Sequence, residues 1–547
     1  MTNTSYAYKL FPNISEDCLY LNIWADKRCT QANPCPIIVR IFGGAFLYGS
    51  AIQNNEDFTI DRYASDRIVF VVPAYRIGLF GFMDLGSDDP VPRNLGLHDL
   101  IKSLKWVQNE IKSFGGDPKR VTLFGNSAGA TAIQFLSVSP AVAKGLFSGA
   151  LISSGFPETI TGIERTASKT LVQISGCSNK NTSAENVDEI VKCLRRIDAK
   201  SLLQMGRFLE DTQNIVFGGV SIDGLLFHNK SFIELLDDLK PMPTLIGATK
   251  DEMDEVVHNI TYICQKDIRT FGYKTEDVML ACLNKYGKIE GDEKYRIASA
   301  DVIHAMVYKQ AVTNSRNGVP SYVWDFQLAN HSYHADDLFF LTGSRRNEIL
   351  TPEEKIVDEF YSQVVKQYVR TENPGSGWKP FKNGRNFQIF DAKIENGTIY
   401  PPYLSKGEYY PEAGIPFAET PIGDLRFALP QSKTPWNSLL DAKNYQPACM
   451  TNTSHAHKPF PNISEDCLYL NIWADKRCTQ ESPCPIIVLI FGGGFLYGSA
   501  TQFYDDFIID RYASDRIVFV VPAYRLGLFG FMDLGSDDPV PRNLGLH

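Results

Sequence analysis

The stretch Arg120-Val121-Thr122-Leu123-Phe124-Gly125-Asn126-Ser127-Ala128-Gly129 decides how the rest of this chain is read. Arg120–Phe124 is a short run with β-branched and aromatic residues and predicts a strand. Ala128 to Leu136 reads as a helix. Between them lies G-x-S-x-G, a string that average residue usage produces by chance about 0.2 times in a chain this long. Its place between a strand and a helix is what gives it meaning. There the serine is forced into a strained turn, and side chains two residues before and after would collide, so both positions want glycine. The turn would present Ser127 Oγ at the strand tip as a candidate nucleophile. It would also put the Ala128 N–H at a helix start, where an oxyanion can be bound. Outside that context the segment would be an ordinary glycine-rich turn.

Working outward, Pro36–Phe42 is a second β-branched run, closed by Gly43-Gly44, and Ile68–Val72 is a third. Further strands are expected at Gly149–Ser153, Thr244–Ala248 and Ser321–Phe326. Leu97–Lys112 carries Leu97, Leu100, Ile101, Leu104 and Val107 at helical spacing. Helices also fit Asp188–Arg196 and Pro352–Arg370. Near-continuous apolar strands alternating with helices predict the α/β class, with a mostly parallel central sheet flanked by helices. Catalytic loops in such sheets lie at the carboxyl ends of the strands.

The chain has 547 residues, and its 54 basic and 63 acidic residues leave a net charge of −9. Neither a basic stripe nor a dense Lys/Arg run occurs, so nucleic acid is not an expected partner. No apolar run reaches the roughly 18 residues of a transmembrane span. The start, Met1-Thr2-Asn3-Thr4-Ser5, is polar and lacks the apolar stretch of a signal peptide. Eleven cysteines are present without a CxxC pair, so no metal site is expected. N-x-[ST] sequons occur at Asn3, Asn13, Asn181, Asn229, Asn259, Asn330, Asn396, Asn452 and Asn462, a density that fits a secreted or secretory-lumen protein. Nucleotide-binding readings fail, since neither a P-loop nor a G-x-G-x-x-G at a strand–helix junction is found.

The chain also contains part of itself twice. Residues 1–98 recur at 450–547 with 13 differences, so that Ser15-Glu16-Asp17-Cys18 becomes Ser464-Glu465-Asp466-Cys467. A period of this size is not that of a solenoid or propeller, which runs about 20–50 residues. It reads as a partial duplication, or as two adjacent genes read as one. Residues 379–410, rich in Pro, Gly, Asn and Tyr, read as a terminal region with a linker. We therefore expect one domain over 1–410 and a partial second copy over 411–547. That second copy stops at His547, inside a segment that in the first copy runs on through Asp99 to Trp106.

The stretches Ser15–Trp24, Ile41–Gly49, Asn94–Trp106, Phe114–Pro118, Val121–Gly129, Lys250-Asp251-Glu252 and Gly414–Phe427 together resemble the type-B carboxylesterase and cholinesterase family. The resemblance implies an α/β-hydrolase fold and a Ser–Glu–His triad in that chain order, with no metal or cofactor. Ser127 matches the nucleophile. Glu252 matches the acid, although on pattern alone Asp251, Asp254 and Glu255 compete with it. His334 matches the base, with His331, inside the sequon at Asn330, as its competitor. The resemblance places the oxyanion hole at the N–H groups of Gly44, Ala45 and Ala128. The family often has a third glycine where Ala45 stands, and alanine keeps the N–H if φ/ψ tolerates its Cβ. The second copy reads Gly492-Gly493-Gly494, which makes Gly493 and Gly494 the alternative donors. Ser154 corresponds to a hydroxyl near the acid.

The same resemblance pairs Cys449 with Cys467 and Cys177 with Cys193. Cys29–Cys35, Cys478–Cys484 and Cys264–Cys282 are further pairs, which leaves Cys18, whose partner would precede Met1. A missing signal peptide would belong to that same preceding segment. Either copy of the repeat could complete the sheet. Continuity with Asp99 favours the first, since no long loop need close. The other copy would then expose strand edges, a hazard for domain swapping. Two departures bear on substrate: the loop Cys449–Cys467 has no Trp, and Asn126 stands where the family usually has Glu. Both weaken a cation site, so small neutral esters are expected rather than choline esters. A non-catalytic adhesion protein on the same fold, or an inactive fused tandem product, are the alternatives. Retention of Ser127, Glu252 and His334 favours the enzyme.

Overall fold

The apolar runs around Ser127 form the middle of a nine-stranded sheet. Its strands are β1 (Leu21–Trp24), β2 (Cys35–Ile41), β3 (Val69–Pro73), β4 (Gly116–Asn126), β5 (Gly149–Ser153), β6 (Thr244–Thr249), β7 (Ser321–Phe326), β8 (Phe387–Phe390) and a last pair of residues, Tyr403–Leu404. Their spatial order is β1-β3-β2-β4-β5-β6-β7-β8 followed by that pair. From β3 to β8 all neighbours are parallel, and the two ends are antiparallel. This is the α/β-hydrolase sheet that the sequence predicts. Every residue of β2, β3, β5 and β6 is buried, as parallel strands covered on both faces must be.

This computed structural model describes residues 14–546, apart from 87–90, 158–162, 179–186, 214, 216, 231, 237–238, 240–241, 253–258, 271–275, 290, 347–348, 376–377, 382–386, 396–397, 401–402, 405–408, 436–444, 452–461, 476–477, 480–481, 504–507, 514–515 and 534–540. The polar start Met1–Ser5, the candidate acids Asp254 and Glu255, and the sequons at Asn3, Asn13, Asn181, Asn396 and Asn452 lie outside the described residues. Among those described, no helix is long and apolar enough to cross a membrane.

Helices cover the sheet. α1 (Leu95–Glu110) does so with the face that its spacing predicts, burying Leu97, Leu100, Ile101, Leu104 and Val107. α2 (Ala128–Val138) starts at the serine turn and is buried along its whole length. α3 (Glu293–Arg316) packs on β6 and β7. α4 (Pro352–Thr371) packs on β2 and β4. It opens with a capping box, in which Thr351 Oγ1 accepts from the Glu354 N–H and the Glu354 carboxylate accepts from the Thr351 N–H. Part of 379–410 is strand rather than linker, because β8 and Tyr403–Leu404 extend the sheet.

The chain divides into two units, Met1–Leu404 and Ser405–His547. The strand Tyr409–Pro416 pairs with Tyr469–Asp475, so the second unit's sheet begins just before residue 411. The two copies of the repeat fold alike. Asn22 faces Val72 in the first, and Asn471 faces Val521 in the second. Ile37–Val39 run parallel to Val69–Val71, and Ile486–Val488 to Val518–Val520. In the first unit β4 closes the other edge of β2. Among the described residues no strand does this for Ile486–Val488, which end their four-stranded sheet. Ile37 is accordingly 0% exposed and its counterpart Ile486 64%. The nine-stranded sheet thus takes its first three strands from residues 21–73, continuous with Asp99.

All five expected disulfides form: Cys29–Cys35, Cys177–Cys193, Cys264–Cys282, Cys449–Cys467 and Cys478–Cys484. Cys18 is free.

Candidate active site

Ser127 sits at φ 55°, ψ −129°, between the end of β4 and the start of α2. The reason both flanking positions are glycine is visible in the packing. A Cβ on Gly125 would lie 2.5 Å from the Gly129 carbonyl carbon, and one on Gly129 would lie 2.1 Å from the Ile41 oxygen. The turn is therefore closed by sterics on both sides, and the serine is held in a conformation that L-residues seldom adopt.

The candidate base, His334, comes from the loop after β7. His334 Nε2 is 2.8 Å from Ser127 Oγ, and His334 Nδ1 is 2.5 Å from Glu252 Oε2. Glu252 follows β6, is fully buried, and accepts from the Thr249 N–H through its other oxygen at 2.8 Å. The two loops are stitched together twice in the backbone, by His334 N to Glu252 O and by Asp251 N to Ser332 O, both 2.8 Å. Asp251 is taken up by the Ser332 hydroxyl and Arg296. His331 turns instead to Glu354 at the start of α4. Of the competitors open to description, neither reaches the serine.

Burial opposes a charge on His334, but the Glu252 carboxylate and, more weakly, Asp337 and Asp336 outweigh it and hold the imidazole above its ordinary pKa. Burial likewise pushes Glu252 upward. The His334 charge and hydrogen bond, then the Ser154 hydroxyl and His304, overcome that and hold the carboxyl below its usual range. An anion thus faces the imidazole on the side away from Ser127. The His334 side chain is 24% exposed, whereas Glu252 behind it is fully buried.

Gly43–Phe46 follow β2 beside the serine turn, where a Cβ on Gly43 would stand 2.6 Å from the Asn126 oxygen and 3.1 Å from the Ser127 Cβ. Gly44 has φ +122° and cannot carry a side chain, since a Cβ would fall 2.1 Å from the Tyr48 oxygen. Ala45 has φ 54°, so its Cβ is tolerated in the left-handed region at a cost. Gly493 and Gly494 adopt φ 139° and 59° in the second unit, whereas Ser127, Glu252 and His334 all belong to the first.

Sequence reasoning missed a polar layer under the triad. Ser153 Oγ donates to Asp337 Oδ2 at 2.5 Å, and Asn126 Nδ2 donates to Ser153 Oγ at 3.2 Å. Ser153 and Asp337 are 0% exposed, and Asn126 is 1%. Nothing in the string Ala335-Asp336-Asp337 distinguishes a buried acid from a solvated one. Arg40 did carry a signal, as a lone charge inside the otherwise apolar run Pro36–Phe42.

The model of the carboxylesterase family matches residues 1–402 and again 393–547. The chain belongs to the carboxylesterase family, and ester hydrolysis is the chemistry that membership supports. Pyrethroid hydrolase Ces2a of Mus musculus is 29% identical over 404 residues, 67% of this chain and 70% of that protein. Carboxylesterase 4A of Bos taurus is 29% identical over 69% of this chain and 75% of its own length. Cholinesterase 1 of Branchiostoma lanceolatum is 36% identical over 44% of this chain and 68% of that one. Among solved structures, a PNB esterase superposes with a TM-score of 0.61 at 25% identity, covering 73% of this chain and 85% of its own.

Proposed function

We propose that the first unit hydrolyses carboxylic esters through an acyl-enzyme, with Ser127 as nucleophile, His334 as base and Glu252 as the acid that orients it. The observation that carries this reading is the pair of hydrogen bonds at His334, 2.8 Å to Ser127 Oγ and 2.5 Å to Glu252 Oε2. Glu252 fixes the tautomer with Nδ1 protonated and leaves the Nε2 lone pair facing the serine. As Ser127 Oγ attacks the ester carbonyl, its proton passes to His334 Nε2, and the buried carboxylate stabilises the imidazolium. The alcohol leaves with that proton. Water then attacks the acyl-enzyme, His334 again acting as base, and releases the acid.

The oxyanion of each tetrahedral intermediate is assigned to the N–H groups of Gly44, Ala45 and Ala128. The reading puts the whole machinery in 1–410 and makes 411–547 a partial copy without a nucleophile of its own. The substrate class is small neutral esters. Asn126 presents an amide, not a carboxylate, beside the nucleophile, and it is spent on Ser153. Five disulfides, and the lack of a long apolar helix among the described residues, are compatible with the secretory route.

The test is hydrolysis of p-nitrophenyl butyrate by the purified chain beside Ser127→Ala. Turnover that vanishes in the variant supports the reading. A folded, monodisperse wild type without turnover would sink it in favour of a binding protein on this fold.

A further inference from the structure

A buried arginine lies inside the sheet that carries the site. Arg40 is 3% exposed in β2, between apolar neighbours. Its Nη1 donates to the Ile41 carbonyl at 2.5 Å, and its guanidinium lies 4.3 Å from the centre of the Phe124 ring. Its Nε is buried with no hydrogen-bond partner among the described residues. Burying a guanidinium without a counter-charge costs several kcal/mol, so the position calls for an anion.

The register shows where that anion is. Arg40 pairs with Phe124, Phe124 with Leu151, and, two residues further along, Asn126 pairs with Ser153. Side chains alternate along a strand, so Arg40, Phe124, Asn126 and Ser153 point from one face. Asp337 is fixed on that face by Ser153 and is 0% exposed. A buried cation and a buried carboxylate thus share one face of the sheet.

We propose that Arg40 is a positioning residue of the ester-hydrolysing site, whose fixed positive charge keeps Asp337 a carboxylate beneath His334. There the carboxylate supports the imidazolium that forms when Ser127 gives up its proton. The inference rests on the triad reading above. Asp337 takes no proton in the step, which passes from Ser127 Oγ to His334 Nε2.

The charges around the pair agree with this role. Asp337 faces the Ser153 hydroxyl from β5, Glu252 from the loop after β6, His334 from its own loop and Arg40 from β2. Tyr361 faces it from α4. Arg40 in turn faces Tyr75 and Tyr63 besides Asp337. Burial pushes Asp337 up to about 6, Ser153 pulls it down, Glu252 raises it, and His334 and Arg40 lower it. Burial pulls Arg40 down to about 10, which leaves it a cation at pH 7. Arg40 thus acts on Asp337 in the same direction as Ser153 and His334, towards the carboxylate. The repeat bears on the same point, since Leu489 stands where the first copy has Arg40. Although 85 of the 98 positions match, the second copy lacks the charge that the site uses.

The experiment measures kcat and KM for p-nitrophenyl butyrate from pH 6 to 9.5 in wild type, Arg40→Leu, Asp337→Asn and the double variant. Arg40→Leu should lower kcat at pH 7 with KM little changed, and the loss should shrink towards pH 9 as Asp337 ionises. Asp337→Asn should lose a similar factor at every pH, and the double variant should be no slower than Asp337→Asn. A pH-independent loss in Arg40→Leu, or losses that multiply in the double variant, would show that Arg40 only packs the sheet. Should Arg40→Leu not accumulate as folded protein, Arg40→Met keeps the side-chain stem and carries the same comparison. A wild type as inactive as Ser127→Ala would instead overturn the triad reading itself.

Discussion

His334 Nε2 and Ser127 Oγ lie 2.8 Å apart although 207 residues separate them in the chain. The distance is set by two rigid supports. Ser127 is locked by glycines that admit no side chain on either side, and His334 is tied by its own N–H to the Glu252 carbonyl. On the proposed mechanism, changing Glu252 should therefore alter chemistry without moving the serine. Glu252 holds the His334 pKa above its ordinary 6.5. Only neutral imidazole accepts a proton, so the acid limb of kcat/KM should fall away with a midpoint above pH 6.5. In Glu252→Gln the anion is gone, the midpoint should drop, and kcat should fall on the order of 10³–10⁴-fold. A pH–rate profile gives both quantities, and a variant within tenfold of wild-type kcat would remove Glu252 from the mechanism.

The strained turn at Ser127 was legible in the sequence because its causes are local. A strand, two glycines and a helix start all lie between Arg120 and Leu136. The strands of the sheet were legible for a similar reason: they are buried on both faces and read as unbroken apolar runs. Helices such as α3, over Glu293–Arg316, were not, since α3 carries no strong apolar stripe. Strand β8 was missed because Phe387–Phe390 lies amid Pro, Gly and Asn, which argue for loop. The acid and base came from family resemblance, because a carboxylate after a strand looks the same whether solvated or buried. Asp337 shows that limit most clearly. Its position is defined by Ser153, 184 residues away, and no local pattern encodes that contact.

Asp337 should cost stability. Its carboxyl is raised to about 6 in the folded chain, chiefly by burial, from an ordinary 3.8. A raised carboxyl favours the folded state only while protonated, so stability is lost as pH rises from about 4 through 6. The loss is complete above about pH 7, with an upper bound on the order of 2–3 kcal/mol. Asp337→Asn removes the ionisation. It should melt higher than wild type at pH 8 and match it near pH 4, while turning over more slowly. Thermal melts at the two pH values decide this, and an equal gap at both would mean that the carboxylate is not strained by burial.

The loop after β2 offers paired substitutions with opposite outcomes. Ala45 sits at φ 54°, where a Cβ is strained, and the second copy has glycine at this point. Ala45→Gly should relieve about 1 kcal/mol without removing the N–H, so activity should persist and the melting temperature should hold or rise. Gly44→Ala should do the reverse. Its Cβ would meet the Tyr48 oxygen at 2.1 Å, so the loop must move. Displacing an oxyanion donor should lower kcat about 10²-fold or more. If Gly44→Ala keeps full kcat, the N–H groups of this loop do not bind the oxyanion.

The two copies of Ile-Ile-Val allow the exposed edge to be tested against its own control. Val39 is 0% exposed, with β3 on one side and β4 on the other, whereas Val488 is 60% exposed at the end of a four-stranded sheet. Ile486 and Ile490 beside it are 64% and 65% exposed. An apolar strand edge with unpaired backbone groups is a template for pairing with another chain, and a lysine on it blocks that pairing. The full chain should therefore associate as its concentration rises, and Val488→Lys should shift it towards monomer with esterase activity unchanged. Val39→Lys, the same change in the same sequence, should instead destroy folding and activity, because it places an unpaired ammonium in a closed sheet. Light scattering across a concentration series, beside the activity assay, reads both variants. Association that Val488→Lys leaves untouched would clear this edge and direct attention to the Phe495–Tyr497 surface of the second unit, where the side chains are 46–48% exposed.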